Sequence, residues 1–118
     1  MKENVIKGKS FEFAVRIINL YKYLNTNKKE LILSKQILRS GTSIGANVEE
    51  AIAGQSKKDF VAKLSISLKE AKETHYWLRL LSRCEYIDEQ MFNSIINDCD
   101  EIIVILTRIL QTSRKNGN

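Results

Sequence analysis

Apolar residues recur along most of this chain at three- and four-residue steps, the spacing that lines up one stripe on an α-helix. Phe13, Ile17, Leu20, Tyr21 and Leu24 form the first such run. Ser10 stands where a hydroxyl can cap the first turn, and the run stops in Asn25, Thr26 and Asn27, which favour turns, so a helix is expected over residues 10–24. A second helix is expected over 30–53, with Leu31, Ser34, Ile37, Leu38, Gly41, Ile44, Val48, Ala51 and Ile52 on one side and Gly54 after its end. Residues 41–45 are poor helix formers, yet the apolar phase runs through them unbroken, and their small side chains admit a close neighbour. They are therefore read as helical. Ser56 caps a third helix over 56–84, with Asp59 three residues on. Its length would be about 42 Å at 1.5 Å per residue. Asp88 opens a fourth over 88–112, striped by Met91, Phe92, Ile95, Cys99, Ile102, Leu106 and Ile109, with a frayed tail from Ser113. Short connections make neighbours antiparallel, which gives an all-α, up-down-up-down four-helix bundle forming a single domain over residues 1–118.

The 118 residues suffice for one core and leave no room for a separate cofactor domain. Proline is absent, so nothing of that kind interrupts a helix once started. Cys84 and Cys99 lack metal-binding spacing and His75 is the lone histidine, so reduced thiols are expected and neither a metal nor a cofactor. No segment reads as a signal peptide or membrane span, which predicts a cytoplasmic protein without a membrane partner. Net charge is +5 and unevenly spread: residues 1–39 hold nine Lys/Arg against three Asp/Glu, whereas residues 85–118 hold three against six. Such a basic end is compatible with phosphate binding and equally with an ordinary solvated face.

The third helix carries two apolar stripes where an isolated bundle needs one. Phe60, Leu64, Ser67, Leu68, Ala71, His75, Leu78 and Ser82 make a core face, which makes His75 a packed or edge histidine that satisfies its nitrogens locally. Ala62, Ile66, Trp77, Leu80 and Leu81 make a second, with Glu70 and Glu73 in the same sector. Large apolar groups around charges on a surface invite association, so a subunit interface is expected at Ile66, Glu70, Glu73 and Trp77. The second helix offers a polar stripe of Gln36, Arg39, Ser43, Asn47 and Glu50, within about 80° of one another on the helical wheel. Arg39, Ser43, Asn47 and Glu50 are assigned to the same interface. The guanidinium of Arg39 suits a bidentate pair with Glu70 or Glu73, within a chain or between chains, while ordinary pairing of Glu70 with Lys69 or Lys72 is the alternative. The two glutamates do not make a catalytic or di-metal site, because no Glu-x-x-His spacing and no second histidine exist. There is also no phosphate-cradling glycine loop or nucleophile elbow, so neither an enzyme nor a small-molecule substrate is expected.

The run Gln36-Ile37-Leu38-Arg39-Ser40-Gly41-Thr42-Ser43-Ile44-Gly45-Ala46-Asn47-Val48-Glu49-Glu50-Ala51 carries a resemblance, together with Ser56-Lys57-Lys58-Asp59-Phe60 and Ser67-Leu68-Lys69-Glu70-Ala71-Lys72-Glu73-Thr74. It resembles the bacterial four-helix bundle proteins also called 23S ribosomal RNA intervening-sequence proteins, after reading frames in insertions within large-subunit ribosomal RNA genes. The resemblance implies an antiparallel bundle assembling as a homopentamer without catalytic activity. The fold is also similar to the accessory variability proteins of diversity-generating retroelements, basic pentamers that bind nucleic acid, so RNA or DNA binding is implied by analogy. The residues assigned to it are Lys7, Lys9, Arg16, Lys22, Lys28, Lys29 and Lys35. The competing expectation is a protein–protein scaffold or adaptor with no nucleic-acid partner.

Overall fold

A computed structural model describes residues 2–115, with side chains from Asn4 onward; Met1 and residues 116–118 of the expected single domain lie outside the described residues. Four helices follow one another: α1 Lys2–Asn27, α2 Leu33–Ile52, α3 Lys57–Arg83 and α4 Glu89–Lys115. Each packs on its neighbours in chain order and α4 returns to α1, which is the up-down-up-down arrangement of a four-helix bundle. The bundle measures 47 × 21 × 19 Å.

The core is one continuous set of aliphatic side chains with Phe13 as its fully buried aromatic. Residues 41–45 are helical, and their small size has a physical use. A Cβ on Gly41 would come within 2.7 Å of the Ile17 side chain, and one on Gly45 within 3.3 Å of the Ser10 carbonyl oxygen. These glycines let α1 and α2 approach closely. The hydroxyls nearby are spent inside the bundle: Ser67 donates to the Ile44 carbonyl at 2.8 Å and Thr74 donates to the Ser40 hydroxyl at 2.8 Å. No buried side-chain nitrogen or oxygen among the described residues lacks a partner.

Three local expectations need correction. Ser10 does not cap α1: the helix begins at Lys2, and the Ser10 hydroxyl donates to the Lys7 carbonyl at 3.2 Å from a buried mid-helix position. The buried Ile6 lies on the face of Ser10 and Phe13 and carries the stripe one turn further back. The second helix starts at Leu33 and not at 30, because Lys29 takes a positive φ of 55° and Glu30 turns back to cap the new helix. That leaves Leu31 exposed at the turn, off the α2 core face. The tail expected to fray from Ser113 stays helical to Lys115.

Both helix starts assigned to Ser56 and Asp88 are as the residues suggested. Ser56 Oγ accepts from the Asp59 amide at 3.1 Å, and Asp88 Oδ1 accepts from the Met91 amide at 2.8 Å. At the end of α3, Glu85 takes a positive φ of 66° and the Tyr86 amide donates to the Leu81 carbonyl at 2.9 Å, closing the helix in a Schellman turn without a glycine.

Candidate subunit and nucleic-acid interface

Arg39 lies on the edge of α2 that faces α3, and its guanidinium forks onto two carboxylates of that helix within the same chain. One arm reaches Glu70 at 3.1 Å and the other reaches Glu73. Glu73 also accepts the Trp77 indole N–H at 3.0 Å. That indole bond, followed by Arg39, holds the Glu73 carboxyl below its ordinary value of 4.5 against the opposing pull of burial. The two carboxylates in turn raise Arg39, its bond to Glu73 foremost. Arg39 keeps 49% of its side-chain surface exposed against 17% for Glu70, so the pair is a surface latch between α2 and α3.

The rest of the α2 stripe is engaged locally. Ser43 donates to the Arg39 carbonyl at 2.6 Å and Asn47 to the Ser43 carbonyl at 2.8 Å. Glu50 pairs with Lys63 of α3 at 2.9 Å. The second apolar stripe of α3 divides. Ile66 is 41% exposed, Trp77 is half-buried against the core, and Leu81 is fully buried within it, so Leu81 belongs to the chain's own core. The fold therefore gathers Arg39, Ser43, Asn47, Glu50, Glu70, Glu73 and Trp77 on one side of the bundle, between α2 and α3, with Ile66 beside them on α3.

The seven basic candidates separate into two groups. Lys7 pairs with Glu49 at 3.7 Å, Lys9 with Glu101 at 3.1 Å and Arg16 with Asp98 at 2.6 Å. Arg16 also donates to the Ser94 hydroxyl at 3.0 Å, which ties α1 to α4. Lys22, Lys28, Lys29 and Lys35 are exposed and have no ion-pair partner among the described residues. All four fall at the end of the bundle where α1 turns into α2.

His75 bridges α3 and α4, with Nε2 2.9 Å from Asp100 and Nδ1 accepting from Arg79 at 3.1 Å. Among the described residues no group of three or more His, Cys, Asp or Glu is placed to hold a metal ion. Cys84 is exposed and Cys99 buried, both as free thiols. Cys99 donates to the Ala71 carbonyl at 3.4 Å, and burial pushes it up to about 12. No helix of the described residues is long and apolar enough to cross a membrane.

The family model described as 23S rRNA-intervening sequence protein matches residues 2–108. The chain belongs to that family. It is similar to the crystal structure of a protein with unknown function from the S23 ribosomal protein family of Bacteroides thetaiotaomicron, at 59% sequence identity and a TM-score of 0.93. That similarity covers 94% of this chain and 99% of the other. No curated protein matches. In this member of the 23S rRNA-intervening sequence family, the run from Gln36 to Ala51 forms most of α2 and carries both the glycine contact with α1 and the Arg39 latch to α3.

Two surface features escaped the sequence reading. Phe11, Val15 and Ile18 form an exposed apolar line along the outer face of α1. Their spacing at i, i+4 and i+7 was visible, but it ran alongside the stronger core stripe. The other is the exposed pair Leu31 and Ile32, hidden because residue 31 was placed inside a helix that starts two residues later.

Proposed function

We propose that this protein is a non-catalytic homo-oligomer, a homopentamer as the family resemblance implies, that binds RNA or DNA through the basic end of the bundle. The carrying observation is the set of four exposed lysines without carboxylate partners, Lys22, Lys28, Lys29 and Lys35, at one end of the molecule. Unpaired ammonium groups release phosphate counterions on binding, so they give affinity without sequence preference and with a steep salt dependence. Repetition of the +5 chain around an assembly would multiply that field. Lys7, Lys9 and Arg16 contribute less on this reading, because each already faces a carboxylate. The surface between α2 and α3, from Arg39 to Trp77 with Ile66, is the proposed subunit contact.

Fluorescence polarisation with structured RNA, single-stranded DNA and duplex DNA across a salt series tests the nucleic-acid part. Binding that weakens with salt, with a shallower slope after Lys22, Lys28, Lys29 and Lys35 are changed to Gln, is the expected result. No binding to any of the three at low salt would overturn it. The exposed line of Phe11, Val15 and Ile18 favours the adaptor reading instead, since an apolar stripe on an outer helix face suits a protein partner.

A further inference from the structure

We infer that the turn between α1 and α2 of one copy docks into the groove between α1 and α4 of a second copy. The inference rests on the proposed self-assembly and adds a second contact to the one proposed between α2 and α3.

The turn is built as a rigid apolar knob. The Glu30 carboxylate is buried and accepts the backbone N–H groups of Ile32 at 3.2 Å, Leu33 at 3.0 Å and Ser34 at 2.7 Å. The Glu30 amide in turn donates to the Leu24 carbonyl at 2.9 Å. These bonds occupy four amides of the turn, while Leu31 and Ile32 stand 56% and 75% exposed. Ile32 is the most exposed large hydrophobic side chain among the described residues. Lys28, Lys29 and Lys35 surround the pair in sequence, all exposed.

The groove has the opposite character. Arg16, Asn19, Leu20 and Tyr23 of α1, with Ile87, Met91 and Ile95, line a cavity of about 250 Å³, and the Arg16 guanidinium is held by Asp98. Glu85, Asp88 and Glu89 flank Ile87, are exposed, and have no ion-pair partner among the described residues. From residue 85 to 107 the chain has six carboxylates and no Lys or Arg. An apolar pair with three exposed lysines beside it in the chain therefore matches an apolar groove whose Ile87 has three exposed carboxylates beside it, one of which, Asp88, also caps α4, and such complementarity selects the partner and its orientation.

A molecule cannot fill its own groove with its own turn. The α1–α2 turn leaves α1 on the α2 side, whereas the groove lies on the α4 side, and Ile32 stands in solvent. Both features do occur at the same end of the bundle, where α1 and α3 finish. A rotation about an axis parallel to the bundle keeps them at one height, so the knob of each copy can enter the groove of the next. Two different surfaces meeting in this way make a head-to-tail contact, which builds a ring when the rotation closes. In docked copies Lys28, Lys29 and Lys35 face carboxylates, so phosphate then falls chiefly to Lys22, whereas Leu31 and Ile32 serve only the assembly.

Light scattering on the full chain tests the docking, with circular dichroism to confirm that each variant remains helical. Leu31→Ser with Ile32→Ser removes the knob, and Asn19→Arg obstructs and charges the groove wall without touching the core. Each variant alone should assemble less than wild type, its mass shifted toward the 13.6 kDa of one chain. An equimolar mixture should recover part of the lost mass, because one intact knob meets one intact groove. If wild type assembles and both variants assemble equally well, the docking is wrong while assembly stands. If wild type is itself monomeric at micromolar concentration, the assembly reading fails and the docking with it. A mixture that recovers none of the lost mass would refute the pairing of knob with groove.

Discussion

Gly41→Ala should destabilise the fold even though alanine is the better helix former. Gly41 is fully enclosed in the interior of α2, and an added Cβ would lie 2.7 Å from Ile17 Cγ1 and 2.8 Å from its Cγ2. Ile17 is β-branched, has no exposed surface, and cannot turn its branch aside without striking other core atoms. Relief therefore requires α1 and α2 to separate. The propensity gain from Gly to Ala is about 1 kcal/mol, and overpacking a close-packed core costs about 1–3 kcal/mol. The net expectation is a loss of about 1 kcal/mol, read as a lower urea midpoint at fixed protein concentration. Gly8→Ala supplies the control. Gly8 is also helical but a Cβ there meets nothing within 4 Å, so that change should raise stability by up to about 1 kcal/mol. Combining Gly41→Ala with Ile17→Ala should cost less than the sum of the single changes, since the two remove and fill the same space. Equal gains from Gly8→Ala and Gly41→Ala would refute the claim that the glycine sets the helix spacing.

Three further outcomes follow from particular contacts. Glu30→Ala strips the cap from three amides at the start of α2 and should cost about 1–3 kcal/mol in chemical denaturation; wild-type stability would show that water replaces the carboxylate without loss. Because Glu73 is held below 4.5 in the folded chain, its contribution is present above that value and is lost as pH falls through the lower folded one. Glu73→Gln should accordingly flatten the loss of stability below pH 4.5, and an unchanged acid limb in urea titrations at successive pH values would count against the assignment. Iodoacetamide at pH 8 should modify Cys84 alone in the folded protein and both thiols in denaturant, as intact mass would report, since Cys99 is buried and raised to about 12.

The helices were legible where their stripes were strong and their caps were local. Ser56 and Asp88 carry their own capping oxygens, and the phase from Ile37 to Val48 outweighs the poor propensity of residues 41–45. The start of α1 was not legible, because its stripe passes through Ser10, a small polar residue buried by its contact with Gly45, a fact about α2 that no window on α1 contains. Glu30 misled for a similar reason: a carboxylate three to four residues ahead of a helix interior reads as the first turn, whereas here it folds back as the cap. At the candidate interface, helical spacing brought Arg39 toward Glu70 and Glu73 correctly, but it left open which chain they belonged to, and only packing of α2 on α3 decides that they meet within one. Leu81 went astray because it lies at the border between the two α3 stripes, where a small rotation of the helix decides between core and surface.

The segregation of charge along this chain is what the proposed docking needs and is not what folding alone requires. Antiparallel topology brings the lysines around the α1–α2 turn and the carboxylates around the α3–α4 turn to one end of the bundle, but on different sides of a body about 20 Å across. Charges in water are screened over roughly 8 Å at physiological ionic strength, so attraction between these two patches inside one molecule is small. Like charges within each patch meanwhile lie close together and repel. A distribution that gives a lone chain little and costs it something becomes favourable once a second copy brings opposite patches into contact. The same reasoning covers Leu31 and Ile32, which the Glu30 cap holds in water at a cost that only burial against another surface can recover. Charge and exposed apolar surface thus support the same proposed contact, and raising salt should loosen that contact while leaving the helical fold intact.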